Sequence, residues 1–341
     1  MIPRNYPVRR AIPNTWRFHS CYGCPAVRRS GNLQNVPDTY PLAVCLGEGL
    51  VSLVPAVAGP LEDVRTFHRS LAGAEWNTAI ALASAGVETA VVSRVGDDGF
   101  GRFLRAELRR HGVDDSAIQV DPLAPTGLYV KELTPLPDGS VDGRMHYYRV
   151  GSAAAAMSPA TIADPAVARL LAAASLVHTS GITPALSATA HAAQDAVFDL
   201  PRGARLVSFD VNWRPALWRG REDDGRAVIA AYARRADAVF CTAPDAEEVF
   251  GTSDPDDVRA LIAEPRHLVV TSPRGATAFD GTERIESAAL DVPVVETIGA
   301  GDAFAAGFMA GVLSNLSLTG SLARAHRIAA RALRSTRDHI D

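Results

Sequence analysis

Apolar runs of four to nine residues recur along the chain, most ending in glycine or polar residues and followed by a stretch of helical period. Leu42–Leu46, Ala90–Val95, Leu176–Thr179, Leu206–Arg214, Ala238–Cys241, His267–Ser272 and Val292–Val295 read as strands, and Leu50–Val57 as extended chain. Between them the spacing predicts helices: one opened by Ala72-Gly73-Ala74-Glu75-Trp76-Asn77 and carrying Ile80, Leu82 and Ala83, then Arg102–His111, Pro159–Ala174 and Pro184–Leu200. Further helices are predicted over Asp223–Arg234, Asp245–Phe250, Asp256–Ala263, from near Gly299 (apolar positions Phe304, Phe308, Gly311 and Val312), and over Ser321–Leu333. Strand alternating with helix predicts an α/β fold, a mostly parallel sheet covered by helices. One interval breaks the rhythm. Gly127–Lys131 and Arg144–Arg149, separated by a loop with Pro135, Pro137 and Gly139, predict a small separate sheet that also takes in the extended chain near Val51–Val54.

Residues 1 to about 40 have no sustained apolar period, five prolines and several arginines, so a poorly ordered extension is expected, or an over-long reading frame. It has no apolar core of the signal-peptide kind. Its Cys21-Tyr22-Gly23-Cys24 has only His19 nearby as a third ligand, too few for zinc. The domain proper is expected from 41 to 341. Hydrophobic residues at 47% and charged at 21% suit a soluble globular protein. The net charge of −4 gives no electrostatic reason for nucleic acid or an anionic membrane as partner. No apolar run approaches the ~18 residues of a membrane-spanning helix. Four cysteines do not make a disulfide scaffold, which fits a reducing cytoplasm.

Candidate chemistry concentrates in Glu296-Thr297-Ile298-Gly299-Ala300-Gly301-Asp302-Ala303-Phe304. Two glycines at a helix start turn the backbone tightly and aim several N–H groups outward, a nest that binds anions. Asp302 sits in the same first turn, placed to take a proton from a hydroxyl that attacks a phosphate. A plain strand-to-helix turn with a dipole-compensating acid would use the same residues. A dinucleotide fingerprint is excluded, because Phe304 stands at the third glycine and no acid follows at the required distance. Elsewhere, polar groups at strand C-termini are where open α/β sheets bind ligands. Asp210, Asn212 and Arg214 lie at one such end, Thr271 and Ser272 at another.

The stretch resembles the second signature of the ribokinase-like (PfkB) carbohydrate kinases, D-T-x-G-A-G-D-x-F. Gly73-Ala74-Glu75-Trp76-Asn77 together with Gly96-Asp97-Asp98-Gly99-Phe100-Gly101 resembles the first. The resemblance covers the chain from about residue 42 onward and implies a three-layer α/β sandwich with a small β-sheet lid, strands near 50–57, 126–133 and 144–150. It implies Asp302 as catalytic base and the amides of Gly299, Ala300 and Gly301 as anion hole, with ATP and Mg²⁺ as cofactors. Within the family, Gly73-Ala74-Glu75, Tyr147–Ala153, Ser180–Pro184 and Phe209–Arg214 are most similar to 2-keto-3-deoxygluconate kinases. That branch implies sugar-acid contacts at Gly73, Asn77, Tyr129, Tyr147, Arg149, Arg214 and Asp338. It implies ATP contacts at Asn212, Thr242, Asp245, Thr271, Ser272, Arg274 and Gly275, and metal contacts at Asp245 and Glu296. A planar guanidinium matches a carboxylate with two parallel hydrogen bonds, so an acid substrate suits Arg214, although pairing with a neighbouring acid for structure would also explain it.

Four positions depart from the pattern. Glu296 replaces the usual aspartate, and Thr242-Ala243-Pro244-Asp245 stands at the N-x-x-E motif. Arg274 stands where the ATP loop has lysine. Thr336-Arg337-Asp338-His339 is a shortened T-R-G-D-x-E. The expected activity is transfer of the ATP γ-phosphoryl group to O6 of 2-keto-3-deoxygluconate. A fructokinase or other neutral-sugar kinase is the alternative, and a non-catalytic sugar-binding regulator a remoter one. The expected partners are the sugar acid and ATP, with a homo-oligomer, a dimer through the lid, as assembly.

Overall fold

The computed structural model describes residues 42–136, 141–335 and 337–340. The extension over 1–40, Cys21-Cys24, Pro137 and Gly139 of the predicted loop, and Thr336 fall outside them.

Nine strands form the main sheet, in the order Glu283–Ala288, Gly275–Asp280, His267–Ser272, Ala238–Thr242, Leu206–Asp210, Leu176–Ser180, Leu42–Leu46, Glu88–Gly96, Ile118–Asp121. All neighbours are parallel except at one edge, where Gly275–Asp280 runs antiparallel to both His267–Ser272 and Glu283–Ala288, forming a hairpin with the latter. Side chains alternate across the sheet. Ala43 and Cys45 join a core with Trp76, Phe308 and Leu322, whereas Val44 and Leu46 join an opposite core with Phe209, Trp218 and Tyr232. Both faces are therefore covered by helices, which explains why these strands read as continuous apolar runs. Ala74–Ser84, Gly99–Arg110, Ala300–Leu313 and Leu318–Ala332 cover one face; Pro165–Ala173, Ala188–Phe198, Glu222–Arg235, Ala243–Phe250 and Pro255–Leu261 cover the other. This is the expected three-layer α/β arrangement.

A second sheet has the order Phe67–Ala72, Leu50–Pro55, Leu128–Pro135, Val141–Tyr148. Leu50–Pro55 is antiparallel to Phe67–Ala72 and parallel to Leu128–Pro135, which is antiparallel to Val141–Tyr148. Phe67–Ala72 and Ile118–Asp121 have no counterpart among the predicted strands: the first is a half-exposed edge carrying His68 and Arg69, the second only four residues long.

Four expectations are corrected. Val292–Val295 is not a buried strand. It is irregular chain in which Pro293 has no N–H to give a sheet, and Val294 and Val295 are more than half exposed. The strand predicted to reach Arg214 ends at Asp210, and the chain then turns sharply through Asn212 at φ 40°. Pro159–Ala174 is two helices, because Asp164 accepts hydrogen bonds from the amides of Ala166 and Val167 and starts a new one at Pro165. Pro184–Leu200 likewise breaks where Ser187 caps Ala188–Phe198 through the amide of Ala190. Among the described residues no helix is long and apolar enough to cross a membrane.

Candidate active site

The C-terminal ends of the central strands, the start of Ala300–Leu313 and the small sheet enclose a cleft of about 790 Å³. Gly73, Asn77, Tyr129, Tyr147, Arg149, Asn212, Arg214, Thr242, Asp245, Gly299, Gly301, Asp302 and Asp338 all line it, brought together from segments far apart in the chain. A second cleft of about 490 Å³ shares Thr242, Thr297 and Gly301 with the first. Thr271, Ser272, Gly275 and Ala300 line this one, with Leu290, Val294, Phe304, Ala329 and Leu333.

Gly299 sits where the clefts meet, as N-cap of Ala300–Leu313, at φ 78°. A Cβ there would lie 1.8 Å from the carbonyl oxygen of Asp338, so only glycine fits both the left-handed turn and the overlying C-terminal segment. The helix's positive dipole end faces this junction, and the N–H of Ala300 also gives a long hydrogen bond, 3.3 Å, to the carbonyl of Thr297.

In the first turn of the helix Asp302 is buried, and its Oδ2 accepts a hydrogen bond from Asn77 Nδ2 at 2.8 Å. Burial pushes the Asp302 carboxyl up to about 7, aided by Glu75 and Asp338 and opposed by Asn77 and Arg214. A carboxyl ionising near neutrality, fixed by an amide and open to a cleft, is suited to receive a proton. Asn77 Oδ1 has no protein partner. Gly73 caps the helix that carries Asn77 at φ 128°, with its Cα against the carbonyl of Glu48.

The two arginines differ. Arg149 is nearly buried and ion-paired to Glu48, which also accepts from Ser152 Oγ at 2.6 Å. Arg214 has its Nη1 on the carbonyl of Trp213 at 2.9 Å, and among the described residues no carboxylate lies within ion-pairing distance of it. Among these residues Arg214 therefore makes no direct ion pair, although its charge is close enough to hold down the carboxyls of Asp245, Asp210 and Asp302.

Two carboxyls neighbour Asp302 at the strand ends. Asp210 is held well above the usual carboxylate range by burial and by the charges of Asp302 and Asp245. Asp245 is raised by burial, with Arg214 and its helix-cap contacts opposing. Asn212, strained at positive φ, leaves its Oδ1 buried and unpartnered beside them. Among the described residues no group of three or more His, Cys, Asp or Glu is arranged to hold a metal alone.

Tyr129 donates to Asp338, and its ring packs against that of Tyr147 at a tilt of 50°, centroids 5.5 Å apart. Burial raises the Asp338 carboxyl to about 6, the Tyr129 hydrogen bond opposing. Two expected site residues lie elsewhere. Arg274 lines neither cleft but an adjoining hollow with Ser253, Asp254, Arg284 and Glu286, which shares Ser272 and Gly275 with the apolar cleft. Glu296 lines neither cleft; it pairs with Lys131 and accepts from the amides of Thr297 and Ile298.

Sequence reading passed over Glu48, Lys131 and the apolar wall of the second cleft at Leu290, Val294, Ala329 and Leu333. Glu48 directly follows a strand-ending glycine, a usable signal. The edge hairpin was legible too, from Asp280-Gly281, with Gly281 at φ 59°.

Comparison with known proteins matches the description "pfkB family carbohydrate kinase" to residues 41–339. A 2-dehydro-3-deoxygluconokinase of Thermoproteus tenax is 37% identical over 277 residues, covering 80% of this chain and 82% of the relative. A fructokinase-1 of Oryza sativa subsp. japonica is 33% identical over 268 residues, covering 77% and 80%. The crystal structure of a PfkB protein from Polaromonas sp. JS666 superposes with a TM-score of 0.78 at 34% identity, covering 87% of this chain and 97% of that one. The chain belongs to the pfkB family of carbohydrate kinases.

Proposed function

We propose that this sugar kinase phosphorylates O6 of 2-keto-3-deoxygluconate at the expense of ATP. The observation that carries the choice of sugar is Arg214, a guanidinium in a cleft of acids with no carboxylate of its own to pair with. A sugar acid brings one. The carboxylate fixes the substrate at the Asn212–Arg214 turn, and Tyr129, Tyr147 and the Glu48-held Arg149 cover it from the small sheet, which serves as lid.

Asp302 removes the proton from the O6 hydroxyl as O6 bonds to the γ-phosphorus. The bond from that phosphorus to the β,γ-bridging oxygen breaks and ADP departs. Charge on the phosphoryl oxygens is met by the amides of Gly299, Ala300 and Gly301. The adenosine portion lies in the apolar cleft against Val294 and Leu290, with Thr242, Thr271, Ser272 and Gly275 along its edge.

The acids fit Mg²⁺ delivered on the nucleotide. Asp245 raises the proton affinity of Asp210, which a dication would relieve, and Asn212 Oδ1 is an unused acceptor beside them. Asp210 then replaces Glu296 as the second acid toward the ion. When bound, Mg²⁺ would neutralise charge on the nucleotide's phosphates. The outer side of the lid, where Tyr148 is 63% exposed, is the surface for a dimer.

The runner-up substrate is fructose, since a fructokinase is nearly as similar as the gluconokinase. A coupled assay of ADP release with both sugars separates the readings. A kcat/KM at least tenfold higher for the keto-acid is expected, and a preference for fructose would overturn the assignment.

A further inference from the structure

The lid strand Leu128–Pro135 sends two side chains toward the mouth of the cleft, from one face and two residues apart. Tyr129 donates to Asp338 of the C-terminal segment, and Lys131 pairs with Glu296 of the turn that precedes Gly299. Their cross-strand neighbours, Tyr147 and Met145, line the cleft. Lys131 and Glu296 are both shielded, with side chains 14% and 21% exposed. The next strand leaves a path for the lysine stem at Gly143, where a Cβ would come within 3.0 Å of Lys131 Cε.

Glu296 uses its two oxygens for different tasks. Oε2 meets the ammonium, while Oε1 accepts from the amides of Thr297 at 2.9 Å and Ile298 at 3.3 Å. Those amides lead directly into the left-handed Gly299. A carboxylate one methylene shorter would have less reach to span an ammonium and two consecutive amides at once. The departure of this chain from the usual aspartate thus coincides with a lysine on the opposing strand.

We propose that Lys131 is a positioning residue for phosphoryl transfer: through Glu296 it holds the anion-hole turn in its receiving conformation, so the turn is set only while the lid strand lies over the cleft. The proposal rests on the kinase reading and on the small sheet acting as lid, and is independent of which sugar is used. Lys131 touches neither the sugar nor the nucleotide; it acts on the amides at one remove. Losing it therefore harms the step in which charge develops on the phosphoryl oxygens more than it harms ground-state binding.

The test uses the intact protein and whichever sugar the wild type phosphorylates best. Lys131→Met is expected to lower kcat on the order of tenfold while changing the sugar KM less than about threefold, and Lys131→Arg to recover most of the loss. Glu296→Gln should lower kcat similarly, and the double variant should be no worse than either single one, since both break one chain of contacts. A rise in KM alone, an unaltered kcat, or additive losses overturns the proposal. If Lys131→Met fails to fold, Lys131→Gln against Lys131→Arg gives the same contrast. Wild type inactive toward every sugar tested would instead strike at the kinase reading itself.

Discussion

The two clefts that meet at Thr242, Thr297 and Gly301 are lined by opposite chemistries, and they solve opposite problems. In the polar cleft the charged groups around Asp302 are engaged or crowded, Asp302 by Asn77, Arg149 by Glu48, Asp338 by Tyr129 and Asp210 by neighbouring acids, whereas Arg214 has no direct ion pair among the described residues. The cleft's side chains are fixed in advance, as a site needs when geometry decides the rate. The neighbouring cleft is a wall of aliphatic and aromatic carbon, with Leu290 and Val294 left facing solvent. It has little to orient and much to cover. The difference implies that substitutions in the first cleft change chemistry, whereas those in the second change only affinity.

The largest expected effect is at Asp302. Asp302→Asn keeps the hydrogen-bonding volume beside Asn77 but cannot take a proton. It should fold normally and lose roughly 10²–10⁴ in kcat, the usual cost of removing a general base. Near wild-type turnover in a purified variant with unchanged melting would show that the polar cleft is not where the chemistry is done.

Next comes Arg214. A hydrogen bond to a charged group contributes about 1.5–3 kcal/mol, and an arginine fork can make two. Arg214→Leu should lower kcat/KM for 2-keto-3-deoxygluconate by on the order of 10²-fold, with a much smaller loss for fructose. Arg214→Lys should rescue partly. If the ratio of the two kcat/KM values does not move, Arg214 does not read a carboxylate.

The pH profile tests the same cleft more gently. The Asp302 carboxyl is raised to about 7, so at lower pH a growing fraction is protonated and cannot act as base. In the free enzyme kcat/KM should rise with pH, up to tenfold per unit below about 7, and level off above it. Asn77→Ala removes the hydrogen bond that favours the ionised form and should move the limb to higher pH. A limb that stays in place in Asn77→Ala would assign it to another group, Asp338 being the nearest candidate at about 6.

The contrast between the clefts also explains what could be read from the sequence. The polar cleft was legible because its chemistry demands particular residues at particular places: glycine at Gly299 and Gly73, an acid in the first turn of a helix, an arginine past a strand end. The sheet was legible because parallel strands covered on both faces are apolar without interruption. Val292–Val295 misled for the complementary reason. An apolar run bounded by polar residues looks the same whether it is buried by a sheet or kept exposed for a ligand, and nothing local distinguishes the two. Lys131 was invisible for another reason. A lysine on an exposed-looking strand shows its role only when the fold brings Glu296 to it.

The smallest expected effect belongs to the apolar cleft, and it decides whether this reading of Val294 is right. Val294 is 58% exposed in the free protein, so little of its apolar surface contributes to folding. Covering a valine fully contributes on the order of 1.5–3 kcal/mol, and a nucleoside laid over the cleft would cover only the part now exposed. Val294→Ser should therefore forfeit roughly 1 kcal/mol of nucleotide binding, about fivefold in Kd for ADP. Melting temperature should hold nearly constant, as for surface substitutions generally, and the sugar KM should be unaffected. Titration calorimetry with ADP alongside thermal melting separates the two roles of an apolar residue. Weaker ADP binding at constant stability identifies a ligand wall. Lower stability at constant ADP affinity means that Val294 packs against protein in solution, and the nucleotide must then be sought elsewhere along the strand ends.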